Sequence, residues 1–183
     1  MLVNLRALFA RLIDIVLLRA GPETLPPSVN LLAIVVAMNV AVTAIVTAFT
    51  PTAPENWASQ LIVSTGVPLL LFHFALRLAK KPERFVQTMM AFFGVNMLFQ
   101  PAVIPMVAAL MPYLETKDPT VVPPFALSLL AGGLAIWLII AWARIVHAAF
   151  EWPYFVAILF IFGQHIAAAF IYALLFGVPP EPA

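Results

Sequence analysis

Apolar residues run along this chain in five long blocks, separated by short polar stretches in which proline recurs. The blocks cover about 29–49, 59–79, 85–111, 124–145 and 153–177. Crossing a hydrocarbon layer about 30 Å thick takes ~20 helical residues, and each block is that long. The expected fold class is therefore all-α: a polytopic helical membrane protein with five transmembrane helices. The first twenty residues stand apart from this pattern.

That segment, MLVNLRALFARLIDIVLLRA, begins like a signal peptide, but Arg11 and Asp14 interrupt its apolar run and Arg19-Ala20-Gly21-Pro22 is a poor cleavage site. At ~100° per residue, Asn4, Arg11, Asp14 and Arg19 share one side, and Leu5, Phe9, Leu12, Ile13, Val16 and Leu17 cover most of the rest. Arg6 and Leu8 fall on the wrong sides. The reading is an amphipathic helix over 1–20 lying in the membrane interface; the alternative is a helix docked on the bundle. Gly21-Pro22 ends it, and Leu25-Pro26-Pro27-Ser28 leads into the first span.

Proline and glycine mark the spans as well. Gly66 and Pro68 are placed to bend span two. Pro101 and Pro105 predict a kinked or partly unwound second half of span three. Trp57, in the turn before span two, suits the interface. The longest connection between spans, 112–123, carries Glu115, Lys117 and Asp118.

Composition strengthens the membrane reading. Of 183 residues, 64% are hydrophobic and 9% charged, and the mean hydropathy is +1.06. Soluble domains average about 45–50% apolar and about 25% charged residues. Five spans leave no room here for a soluble catalytic domain, so one membrane domain over 21–183 is expected. The absence of cysteine excludes disulfides, thiolate nucleophiles and Cys-ligated metals.

The net charge of +1 says little, but its distribution sets an expected topology. With the N-terminus in the cytoplasm, the inner side holds Arg6, Arg11, Arg19, Arg77, Lys80, Lys81, Arg84 and Arg144, and the outer side holds Lys117. That bias places the C-terminus outside, as in a bacterial inner membrane.

Three groups of residues are candidates for chemistry. His73, His147 and His165 invite a haem-binding subunit, which needs two imidazoles at matching depth on facing helices. Only His73 and His147 come near that, and His147 reads better as an interfacial residue beside Arg144 and Glu151. Asn39, Asn96, Gln100, Gln164 and His165 form a polar set at mid-depth. Such residues bond helices together, and the competing reading is a substrate path. No Asp or Glu lies inside a span, which argues against a proton relay. Arg77, Lys80, Lys81 and Arg84 form a basic turn suited to anionic lipid headgroups, although topology marking alone explains it. Gly132, Gly133 and Ala167-Ala168-Ala169 read as close-packing surfaces, with no GxxxG pattern to suggest a dimer.

The order of features resembles the Yip family of five-span membrane proteins. Arg84-Phe85-Val86-Gln87-Thr88 looks like its polar-aromatic entry to the third span, and Leu127 through Trp137 to His147 looks like its fourth span. The resemblance implies a non-enzymatic protein that binds other membrane proteins. The long soluble N-terminal region of the eukaryotic members has no counterpart here, which leaves their trafficking role without support. No catalytic, nucleotide or nucleic-acid motif stands out. The leading expectation is a non-catalytic scaffold, assembly factor or accessory subunit, without cofactor, contacting other integral membrane proteins and anionic lipids. A small transporter or channel built on the polar set is the alternative, and a haem subunit the third choice.

Overall fold

The computed structural model describes residues 5–48, 56–114, 116 and 121–177. They form six α-helices and no strand. These are α1 Leu5–Val16, α2 Val29–Ala48, α3 Trp57–Leu78, α4 Phe85–Leu114, α5 Phe125–Phe150 and α6 Tyr154–Phe176. Helices α2 to α6 are all long and apolar enough to span a membrane. The turn at 50–55, the tail at 178–183, and Glu115, Lys117 and Asp118 of the long loop lie outside the described residues.

Helix α4 is the axis. Its residues 88–95 are buried on every side, as an all-round apolar stretch requires in a bundle core. Helices α2, α5, α3 and α1 all pack on it, and α6 closes the ring against α3 and α5. At the core, Phe72 of α3 has no exposed surface. Its ring meets Phe92 at 5.4 Å, Phe160 edge-on at 5.1 Å and Phe150 at 6.1 Å. Such tilted and edge-on pairs add about 0.5–1.5 kcal/mol each beyond plain contact.

One end of the bundle gathers the basic residues. There α3 and α1 end in the same way, each with a non-glycine residue in the left-handed region. Lys80 has φ 57°, and the Lys81 N–H reaches back to the Leu76 carbonyl at 2.9 Å. Leu18 has φ 60°, and the Arg19 N–H reaches the Asp14 carbonyl at 2.8 Å. Both are the six-to-one closure that satisfies a helix's last carbonyls.

Several boundaries differ from the sequence reading. Helix α3 takes in Trp57 as its first residue, so this side chain begins the span. Helix α5 runs past the expected end at 145 to Phe150, and Glu151 with φ 61° stops it before Pro153. Apolar residues continue that far, and only the Trp152-Pro153 pair forbids further helix. Helix α4 stays helical through Pro101, Pro105 and Pro112 instead of unwinding. Each proline forfeits one backbone bond, whereas unwinding in an apolar setting would strand several.

Of the expected helix over 1–20, residues 1–4 lie outside the described residues, and helix is present over 5–16. Leu8, Leu12 and Ile15 are buried and α1 packs on α4, so the docked alternative describes this face of it. Gly94 makes the approach possible: a Cβ there would lie 2.4 Å from Leu12 Cδ2. The seam differs from the apolar side drawn from the sequence, since Leu5, Ile13 and Leu17 are exposed while Leu8 is inside.

Candidate functional site

Mid-way along the bundle, α3, α4, α5 and α6 leave an open cleft of about 250 Å³. Asn96, Gln100, Gln164 and His165, four of the five polar residues singled out in the sequence, line it. Asn39, the fifth, is buried on α2 away from the cleft, and only its main-chain carbonyl is bonded toward the others. Thr43 lies one turn on, its hydroxyl 2.7 Å from the Asn39 carbonyl and also within reach of the Gln100 amide. Both are acceptors, the atom beside Thr43 being Gln100 Oε1, so the single hydroxyl proton serves one of them at a time.

Across the cleft, the Trp142 indole N–H donates to Asn96 Oδ1 at 2.9 Å. Phe92 stacks on the indole at 5.7 Å and 25°, and the His165 ring sits 5.0 Å from it. His165 Nδ1 is 2.8 Å from the Ile161 carbonyl one turn back. A carbonyl only accepts, so Nδ1 carries the proton, and in the neutral ring Nε2 is an acceptor. Gln164 is 4% exposed and its Oε1 has no hydrogen-bond partner. The remaining walls include Pro68, Phe99, Val103, Leu138 and Ala168, which are apolar.

The basic turn divides into two pairs. Lys81 and Arg84 turn inward onto the C-terminus of α5. Lys81 Nζ donates to the Phe150 carbonyl at 3.1 Å and pairs with Glu151 at 2.7 Å. Arg84 Nη1 donates to the carbonyls of Ala148 at 3.0 Å and Ala149 at 3.2 Å, and Nη2 pairs with Glu151 at 2.7 Å. Orphan carbonyls and the negative end of the helix dipole are thereby met together. Hydrogen bonds from Lys81 and then Arg84 hold the Glu151 carboxyl below the usual carboxylate range. Arg77 and Lys80 stay exposed.

A second cavity of about 380 Å³ lies beside this clasp, lined by Glu23, Arg84, Gln87, Thr88 and His147 among others. Gln87 donates to the Leu25 carbonyl, which ties the segment before α2 to α4. Arg144 donates to the Leu18 carbonyl, and Trp137 Nε1 to the Val16 carbonyl at 2.9 Å, so α5 holds the end of α1.

The histidines considered for haem have separate surroundings. His73 packs edge-on against Phe85 at 5.3 Å. His147 stacks on Tyr154 at 4.2 Å and donates from Nδ1 to the Trp152 carbonyl at 2.6 Å. Among the described residues, no group of three His, Asp or Glu is placed to hold a metal ion.

Sequence reasoning missed Ser64 and Trp142 at the cleft, and Thr43 beside Gln100. Trp142 alone left a usable trace, since an indole deep within an apolar block needs an acceptor for its N–H. The chain matches no family model, no curated protein and no solved structure.

Proposed function

We propose that this chain is a non-catalytic accessory subunit or assembly factor that holds another integral membrane protein against one half of its bundle. The observation that supports the reading is the unequal packing of the spans. Across residues 40–48, 57–66, 100–113, 125–140 and 162–176, only Val63 and Gln164 are buried. Helices in lipid associate through close packing and shared polar groups, and these half-spans supply little of either to one another.

The rest of the reading orients the protein. The basic end faces the cytoplasm, because Lys and Arg concentrate there, and the C-terminus lies on the other side. Helix α1 then sits at the cytoplasmic surface, with exposed Leu5, Ile13 and Leu17 toward the acyl boundary and Arg19 toward headgroups, while Arg11 donates to the Thr24 carbonyl at 2.8 Å. Arg77 and Lys80, the outward pair of the basic turn, contact anionic lipid at about 1 kcal/mol each. This arrangement keeps the Yip-like reading as the family proposal. A transporter or channel is the second reading, favoured by the meeting of Asn96, Gln100, Gln164 and His165 in one open cleft.

Photo-crosslinking in native membranes tests the leading reading. A crosslinker at Leu130, Ile166 or Leu174 should yield a protein adduct of one discrete mass, while one at Leu78 near the basic turn yields lipid adducts. Lipid adducts alone at all four positions would remove the accessory-subunit proposal. Solute flux through proteoliposomes, abolished by Asn96→Leu with folding intact, would install the second reading.

A further inference from the structure

The cleft between α3 and α6 has an unusual balance of hydrogen-bonding groups. Its hydroxyl, indole and imidazole donors are spent within the protein. Ser64 donates to the Leu61 carbonyl at 3.1 Å, Trp142 to Asn96 at 2.9 Å, and His165 Nδ1 to the Ile161 carbonyl at 2.8 Å. The acceptor left open to the cleft is His165 Nε2; Gln164 Oε1 also lacks a partner but is sealed from any water-sized group. The amide nitrogens of Asn96 and Gln164 add donors beside the imidazole. A group that both donates and accepts fits this set, and a hydroxyl is the smallest that does.

Charge narrows the ligand further. Among the described residues, no Asp, Glu, Lys or Arg lines the cleft. An ammonium or phosphate placed there would lose hydration without gaining a counter-charge. A carbonyl compound only accepts and would leave His165 Nε2 unmet. The volume, about 250 Å³, is below the usual range for ligand pockets, so it suits a headgroup and not a whole lipid. Phe99, Val103, Leu138 and Ala168 give the same cleft an apolar wall against which the start of a tail can lie.

We propose that this cleft binds the uncharged hydroxyl headgroup of a lipid-soluble amphiphile, with His165 Nε2 accepting from it and the amide nitrogens of Asn96 and Gln164 donating to it. Two kinds of membrane molecule carry that chemistry, a long-chain quinol and a diacylglycerol. The site requires no protein partner, so it stands or fails separately from the accessory-subunit reading.

The test uses the full chain in phosphatidylcholine nanodiscs, titrated with a decyl-substituted benzoquinol kept reduced, its oxidised quinone, dioctanoylglycerol and dioctanoyl phosphatidate. At least one of the two alcohols should bind saturably and raise the unfolding midpoint. Binding of the quinol alone assigns an aromatic diol, and of dioctanoylglycerol alone a glycerolipid. The quinone should bind at least tenfold more weakly than the quinol where the quinol is the ligand, and phosphatidate should not bind. Gln164→Leu and His165→Phe should each weaken binding at least tenfold. Gln164→Leu keeps the volume and removes an unpaired buried acceptor, so it should fold. Ala168→Leu, which fills the cleft from its apolar side, should block binding by sterics alone. The proposal is overturned if neither alcohol saturates, or if the three variants bind as the unchanged protein does.

Discussion

The two halves of this bundle are made of similar residues and packed to different standards. Toward the basic end, α4 is surrounded, Phe72 sits among three other phenylalanine rings, and helix ends are tied by named side chains. Toward the far end, the spans keep their helical backbones with almost nothing buried between them. Hydropathy does not distinguish the halves, because lipid tails solvate leucine as well as a protein core does. What distinguishes them is shape complementarity and the placement of polar groups. The cleft lies where the two regimes meet, with Phe92 and Trp142 on the packed side and Val103 and Ala168 on the open one.

The largest expected difference comes from large-to-small substitution on either side of that boundary. Phe72→Ala removes a ring with no exposed surface. In a bilayer the transfer term largely cancels, which leaves the cavity term of ~24 cal/mol per Å³ and a loss of about 2–3 kcal/mol. Ile166→Ala, at a position 69% exposed on α6, should change stability by less than ~0.5 kcal/mol. Reversible unfolding in mixed micelles measures both. A comparable loss at Ile166 would mean that the far half is packed after all.

Glycine gives the next contrast. Gly94→Ala puts a methyl group against Leu12 Cδ2, so α1 must shift or Leu12 must find another rotamer, at a cost of about 1–3 kcal/mol. At Gly133 a Cβ would meet nothing within 4 Å. Gly133→Ala should therefore be neutral or stabilise by up to ~1 kcal/mol through helix propensity. Protease cleavage at Arg11 or Arg19 should accelerate in the first variant and not in the second, because α1 loosens only there.

At the boundary the effects are smaller. Asn96→Leu leaves the Trp142 indole N–H without its acceptor and should cost roughly 0.6 kcal/mol, and not above ~1.7, as for other interhelical bonds in membranes. Asn39→Leu should be neutral or mildly stabilising, since its Oδ1 has no partner to lose. A Trp142 fluorescence shift in the first variant alone would confirm which asparagine is bonded.

How much of this was legible in the sequence follows from the same contrast. The spans were readable because bilayer thickness fixes their length and apolar runs announce it. The polar set was readable by depth, and four of its five members do share one cleft. The buried face of α1 was not readable. Its apolar residues surround most of the helix, and the seam of Leu8, Leu12 and Ile15 depends on where α4 leaves room, as Gly94 does for Leu12. Nor were the targets of Lys81 and Arg84 readable, because they are carbonyls of α5, some 65 residues on in the chain. Local patterning reports what a residue is; which helix end it meets is settled by topology.

The smallest expected effect lies at the clasp itself. Glu151 is bound by Lys81 and Arg84 at 2.7 Å each, yet its side chain is 63% exposed, so solvent screens the pair heavily. Its carboxyl is held below the usual range, chiefly by the hydrogen bond from Lys81 and then that from Arg84. A group whose folded-state pKa is depressed stabilises the fold fully above its unfolded value. That contribution fades as pH falls through the usual carboxylate range to the lower folded value. Unfolding midpoints between pH 7 and pH 6 should therefore be flat in this respect, with a slight fall beginning below about pH 5. Glu151→Gln should remove part of that acid-side slope and lower stability slightly at neutral pH. High salt should shrink the difference between the two proteins, as it does for exposed pairs. The backbone half of the clasp should survive, because Lys81 and Arg84 still donate to the carbonyls of Phe150, Ala148 and Ala149 whatever residue 151 carries. A double variant, Lys81→Met with Arg84→Met, strips those carbonyls too and should lose more than Glu151→Gln does. If the two losses were equal, the ion pairs would be the whole of the clasp and the capping of α5 by cations would contribute nothing.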